Sequence, residues 1–471
     1  MGDEVAKADF APADFDAFAA RLAAETADLG RMWNDGAFAD SGFSIGCEIE
    51  AWLLDHAYYP APVNQAFLAK ADHPLVVPEL SRFNIELNCT PLPLAGDVFA
   101  RMAAELTGLW AHCETVAHGL DANAVLIGTL PVIRNADLSL ANISPLKRYA
   151  ALNREILRRR DGRPVRVEIS GREALAVEHR DVMLEAATTS FQVHLKVPAA
   201  RAHLYWNASA MAAGPLLAAA GNAPFLFGRD LWDETRIPLF EQAIDLPGAG
   251  GLARVGFGSG YVERSLVEMF AENLRAFPPL LPLLFDDASE ALPHLRLHNG
   301  TIWRWNRPLL GTDADGRPHL RIEYRTLPAG PTLADMLANA AAYVGLVHEL
   351  VERGMAERPA VPFAAARANF YAAARLGLAA LTVWPGAAEG TAATLLAERL
   401  LPMARSGLSR LRLAPDADRL IDLVEQRVAG GQTGAAWQRA ALAARGGDFR
   451  AIMAAYCERQ RSASPVFQWD V

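Results

Sequence analysis

The stretch SIGCEIEAWLLD (44–55) sets Glu48 and Glu50 one residue apart inside an otherwise apolar run. Side chains alternate faces along a strand, so both carboxylates point one way while Cys47, Ile49 and Ala51 point the other. Two carboxylates side by side on a mostly buried strand repel each other and lose their hydration. A fold that buries this strand must therefore bring positive charge to that face. The bland alternative is a solvated edge strand.

Three other segments repeat the pattern and weigh against that alternative. Glu86 shares a face with Asn84 and Asn88 in FNIELNCT, Ser190 with Gln192 and His194 in TTSFQVHLKV, and Glu323 with Arg321 and Arg325 in LRIEYR. Each alone has an ordinary reading: a surface pair of Glu86 with Arg82, a structural histidine, a polar cross-strand contact at Gln192, a charge ladder on the last strand. Side by side in one sheet, the four strands would gather carboxylates and an imidazole on one concave surface. Divalent cations offset such a cluster, and oxygen-rich ligands without thiolates suit Mg²⁺ or Mn²⁺ better than zinc. Arg321, Arg325 and Arg304 or Arg307 (in TIWRWNRP) would add anion-binding groups, although stacking on the neighbouring tryptophans is an equally simple role for the last two. Metals and arginines around one cleft are what phosphoryl transfer requires.

Composition excludes other classes. The chain has 471 residues, 52% of them hydrophobic, and a net charge of −9, which speaks against nucleic acid or an anionic membrane as the main partner. Four scattered cysteines offer neither a disulfide framework nor a zinc ribbon, and Cys47 and Cys89 fall on the core side of their strands. The opening MGDEVAKADF lacks the order of a signal peptide, and the most apolar stretch, Met211 to Gly228, is broken by glycines and prolines. The expectation is a cytoplasmic protein. His294 and His298 are four apart, but Pro293 and Gly300 speak against a helix presenting both to zinc.

Helical spacing marks 14–32, 97–120, 146–160 and 199–246, with a Gly-rich loop at 248–260. Strands are expected at 43–54, 83–90, 124–132, in VRVEISG, at 188–197, and near 301–305 and 319–325, the last two joined by the turn DADG. Thr332 with Asp335 three residues on predicts a capped helix that stops by Gly354. Strands scattered among helices predict an α+β fold. Residues 1–385 are read as the catalytic domain and 386–471 as a helical C-terminal extension packed on it.

IGCEIEAWLLD, FNIELNCTP, GTLPV, SPLKRYAALN, TTSFQVHLKV, APFLFGRDLWDETRI, TIWRWNRP and LRIEYRTLPAGPTLADM occur in an order that resembles the glutamate–cysteine ligase type 2 family. These carboxylate–amine ligases share a catalytic fold with glutamine synthetase. The resemblance runs from about residue 43 to 380. It implies a curved, mainly antiparallel sheet of about six strands lining a cleft and backed by helices. It also implies that Glu48, Glu50, Glu86 and Glu323 bind two to three Mg²⁺ (or Mn²⁺) ions, with His194, preferred over Gln192, as a further ligand. Arg325 and Arg307 would act on the phosphates of ATP, and Arg304 would help to hold the nucleotide. Arg236 falls near where relatives hold the substrate carboxylate, though a helix pair with Asp233 explains it nearly as well. Asn88 is taken as a second substrate contact.

The activity this implies is ATP-dependent joining of a carboxylate to an amine through an acyl phosphate, with glutamate and cysteine as leading substrates. Partners would be ATP and small-molecule acid and amine, with no nucleic acid and no membrane; a homo-oligomer stays open. The competing readings are a non-catalytic homologue that binds metal and nucleotide, and a guanidino phosphotransferase.

Overall fold

The computed structural model describes residues 5, 7–246, 248–286, 291–386 and 390–471. Part of the opening decapeptide and part of the break at 385–390 lie outside them.

Six strands, β1 (Ser44–Leu54), β2 (Val76–Pro78), β3 (Asn84–Asn88), β4 (Ser190–Lys196), β5 (Asn306–Thr312) and β6 (Pro318–Pro328), form one antiparallel sheet in the order β5–β6–β4–β1–β3–β2. Two short strands, Leu92–Pro93 and Asn123–Val125, add to β1. Alternation builds the sheet as the sequence implies. Ile45, Cys47, Ile49 and Ala51 on β1, Ile85 and Leu87 on β3, Phe191, Val193 and Leu195 on β4, and Ile322 and Tyr324 on β6 are all buried on the core side. Against that face lie the helices Ala202–Ala220 and Leu333–Glu352, apolar nearly all round and buried along most of their length. The chain is thus an α+β protein with a curled sheet, as the sequence implied.

The capped helix opens as read, with Thr332 Oγ1 accepting from the Asp335 N–H at 3.1 Å. Several expectations shift: the strand placed at 124–132 is only Asn123–Val125, and 199–246 is two helices parted by a short hairpin of Phe225–Leu226 with Arg229–Asp230. The strand placed at 301–305 is Asn306–Thr312, because Trp305 N–H is bonded to Gly256 O in the Gly-rich loop and pairing starts one residue later. VRVEISG is not alone but forms a separate two-stranded hairpin with Ala174–His179. Residues 293–299 are helical despite Pro293, which sits in the first turn where its missing N–H costs nothing. His294 and His298 are nevertheless structural: the first pairs with Glu25 and the second bonds Asn273 O, both buried.

The C-terminal helices share the main core, contributing Leu401, Leu408, Ile421, Val424, Trp437 and Tyr456. Polar ties reach across as well. Arg427 Nη2 bonds Asp335 Oδ1 at 2.9 Å, and Gln460 bonds the backbone of Leu126. No helix among the described residues is long and apolar enough to cross a membrane.

Candidate active site

Strand register explains how distant carboxylates meet. Across β1 and β3, Glu50 faces Glu86 and Glu48 faces Asn88. Across β1 and β4, Glu48 faces Gln192 and Gly46 faces His194. Across β4 and β6, His194 faces Glu323, which in turn faces Arg307 on β5. The polar row therefore crosses the sheet from one strand to the next. A bulge in the β4–β6 pairing between Tyr324 and Leu327 frees Arg325 from the ladder, and its N–H bonds Trp305 O.

Two groups of potential metal ligands result, each with its donor atoms within 4.8 Å of one another: Glu48, His194 and Glu323, and Glu50, Glu79 and Glu86. Both fit a hard divalent cation, and two observations of the chain support that fit. The first is an orphan atom. His194 Nε2 lies 3.2 Å from Glu48 Oε1 and 3.5 Å from Glu323 Oε1, is buried, and has no well-formed hydrogen bond among the described residues. His194 Nδ1 accepts from Arg321 Nε at 3.3 Å. For Nε2 to take a cation the ring proton must sit on Nδ1, and Arg321 must then turn away.

The second is crowding of buried carboxylates. Burial, with Glu48 and Glu50 alongside, pushes Glu86 up to about 7. Burial, with Glu50, Glu86 and Glu185 nearby, holds Glu79 well above the carboxylate range. Burial also raises Glu50, outweighing Arg325 and the hydrogen bonds from Ser190, whose N–H and Oγ donate at 2.6 and 2.9 Å. The other group is already balanced. Burial opposes ionisation of Glu323, but the Arg307 and Arg325 guanidiniums hold it well below the usual range. At Glu48 burial is likewise overridden, by the His194 imidazole, to about 2.

The arginines complete the cleft. Arg307 grips Glu323 through two bonds, Nε to Oε2 at 2.5 Å and Nη2 to Oε1 at 2.8 Å. Arg325 bonds Glu323 Oε2 at 3.2 Å and the Gln192 carbonyl, while Gln192 Nε2 donates to Glu50 Oε1 at 2.9 Å. Gln192 thus links the two carboxylate groups. Glu48, Glu50, Glu79, Glu86, Gln192, Arg307 and Arg325 line one cavity of about 100 Å³, whose far wall is Leu80, Leu152, Ile156, Val182, Ile244 and Trp303.

Not every expected residue reaches it. The structure does not bring Arg304 to the cleft: it is fully buried, pairs with Glu272 at 2.5 Å and Asn273 at 2.7 Å, and lies under Gly258. Asn88 spends its amide on Glu86 Oε1 at 3.0 Å. Arg236 sits behind Glu50, tied to Glu234 at 3.0 Å and to the backbone of Thr326, over the Trp305 ring. With Glu50, Glu185 and Arg325 it lines a space of about 10 Å³, room for one water. Sequence reading missed Glu79 and Glu185. Neither sits within an alternating strand, and Glu79 follows an edge strand too short to read.

A model of glutamate–cysteine ligase family 2 matches residues 44–455. Among solved structures, the chain is similar to glutamate–cysteine ligase from Francisella tularensis in complex with AMP, at 13% identity over 92% of this chain and 90% of that one, with a TM-score of 0.53. It is also similar to a bifunctional glutathione synthetase from Pasteurella multocida, at 13% identity over 90% of this chain and 53% of that one, with a TM-score of 0.48. No curated protein sequence matches. At such identity the first likeness speaks to fold, and the family match, which spans most of the chain, speaks to kind. The chain belongs to glutamate–cysteine ligase family 2 and is an ATP-dependent ligase that forms C–N bonds.

Proposed function

We propose that this ligase acts in the cytoplasm and joins the γ-carboxylate of glutamate, or a close analogue, to a primary amine such as that of cysteine, through an acyl phosphate. The observation that carries the reading is the pair of ligand groups, Glu48–His194–Glu323 and Glu50–Glu79–Glu86, on neighbouring strands, with Glu48, Glu50, Glu79, Glu86, Arg307 and Arg325 lining one cavity. Two magnesium ions held there would neutralise charge on the triphosphate and acid oxygens.

The chain's own groups account for the rest. A substrate carboxylate oxygen attacks the γ-phosphorus of ATP and the bond to ADP breaks. Arg307 and Arg325 balance the charge on the transferring oxygens. The amine nitrogen then attacks the acyl carbon, and phosphate leaves with the bonding electrons. Glu185 borders Glu50 and Arg325 and is pushed up to about 8 by burial and by Glu50. It is placed to accept the ammonium proton in its ionised form, which gains ground as pH rises toward 8. The wall of Leu80, Leu152, Ile156, Val182, Ile244 and Trp303 excludes water, which would otherwise hydrolyse the acyl phosphate.

The test follows phosphate release with ATP, Mg²⁺ and a panel of acid–amine pairs. Release that requires both glutamate and an amine, and that falls at least about 10³-fold in Glu323→Ala, is the expected result. ATP hydrolysis indifferent to every pair, or full activity in Glu323→Ala, overturns it.

A further inference from the structure

A second cavity of about 600 Å³ lies apart from the carboxylates, lined by Arg159, Arg160, Arg163, Arg166 and Arg254 with a single carboxylate residue, Asp245. Four of these arginines come from one stretch, RRRDGRPVR, that ends the Lys147–Arg159 helix and enters the next strand. In a chain of net charge −9 this concentration is an outlier.

Local ion pairs offset it only in part: Arg160 meets Asp245 at 3.8 Å, and Arg163 meets Asp161 at 3.5 Å in an exposed pair of the kind that is worth little. Glu155 binds Arg158 as well as Arg159, and Glu178 pairs with Arg166 on the surface. Arg160 donates to the carbonyls of Asp245 and Pro164, which fix its direction, and its charge is only loosely matched by the Asp245 carboxylate. Arg254 is the clearest case. It is 2% exposed, bonds Thr301 O at 2.9 Å and Pro278 O, and makes no ion pair among the described residues. Burial and the adjacent Arg159 pull its proton affinity down to about 9. A guanidinium has five N–H donors, so each arginine keeps donors beyond those used here.

Charged, forked donors around a concave space, two of them held by backbone carbonyls, suit phosphate oxygens, which accept them two at a time. We propose that this cavity binds a small anion bearing a chain of phosphates, at a site separate from the cleft. The shared chemistry is the phosphate chain, free or carried by a nucleotide.

The experiment is calorimetric titration of the full chain with tripolyphosphate and, separately, with ATP, in EDTA at low salt. Without divalent metal the acidic cleft repels both ligands, so heat reports the arginine cavity. Arg163 and Arg166 are mostly exposed, with side chains 74% and 68% accessible, so their replacement leaves the core intact. Saturable one-to-one binding that weakens about tenfold or more in the Arg163→Ala, Arg166→Ala double variant, and is unchanged in Arg307→Ala, is expected. Tighter binding of ATP than of tripolyphosphate would show that a nucleoside adds contacts. Three results overturn the proposal: no saturable heat at millimolar ligand, a double variant that binds like the parent, or loss of binding in Arg307→Ala. Citrate binding more tightly than either phosphate would overturn the phosphate assignment.

Discussion

Glu50 and Glu86 face each other directly across paired strands, a placement that ordinarily destabilises a sheet. Their strain should be visible as a pH dependence. Glu86 at about 7 and Glu185 at about 8 sit above the ordinary 4.5 of an unfolded chain, so the folded state holds protons that the unfolded state has lost. Stability from these groups is full below about pH 4.5 and is lost as pH rises through 7 and 8. Metal-free protein should therefore melt at progressively lower temperature between pH 5 and 8, and Glu185→Gln should flatten part of that slope. A melting temperature independent of pH over this range would refute the assignment. Glu48, Glu50, Glu86, His194 and Glu323 were legible because each sits in an alternating strand with an apolar opposite face. Glu79 and Glu185 were not, since no periodicity marks them. Arg304 misled because an arginine between two tryptophans reads the same whether it faces a ligand or a carboxylate of its own chain, here the half-buried Glu272.

Among elements, strands were easier to read than their neighbours. Alternation locates β1, β3, β4 and β6, but the order β5–β6–β4–β1–β3–β2 depends on pairings far apart in the chain. Helix contacts were illegible for the same reason. The helices Leu333–Glu352 and Leu401–Arg410 meet at Gly345 and Gly407, where a Cβ on Gly345 would stand 2.2 Å from Ala404 O. Alanine normally improves a helix, yet here the backbones must part to admit it. Gly345→Ala should cost about 1–3 kcal/mol in denaturant unfolding. A stabilised variant would mean that these helices yield more easily than their contact implies.

For the whole molecule, the C-terminal region is a load shared with the rest. The family match runs through it to residue 455, well past the 380 at which the motif resemblance fades. Arg427 and Asp335 form a pair 1% and 0% exposed between the two regions. Removing one partner strands the other charge in the interior, so Arg427→Ala should destabilise the protein by about 3–5 kcal/mol. Its unfolding should remain a single transition if the two regions stand or fall together; a first transition confined to the C-terminal helices would show that they do not. Register carries a last consequence. Because Glu48 and Glu50 alternate with Ile49 and Ala51 against fixed partners on both sides, gaining or losing one residue within β1 would swap the two faces. Ions would be driven into the hydrocarbon interior and the basin left greasy. A one-residue insertion or deletion within this strand should thus cost the protein its fold together with its chemistry.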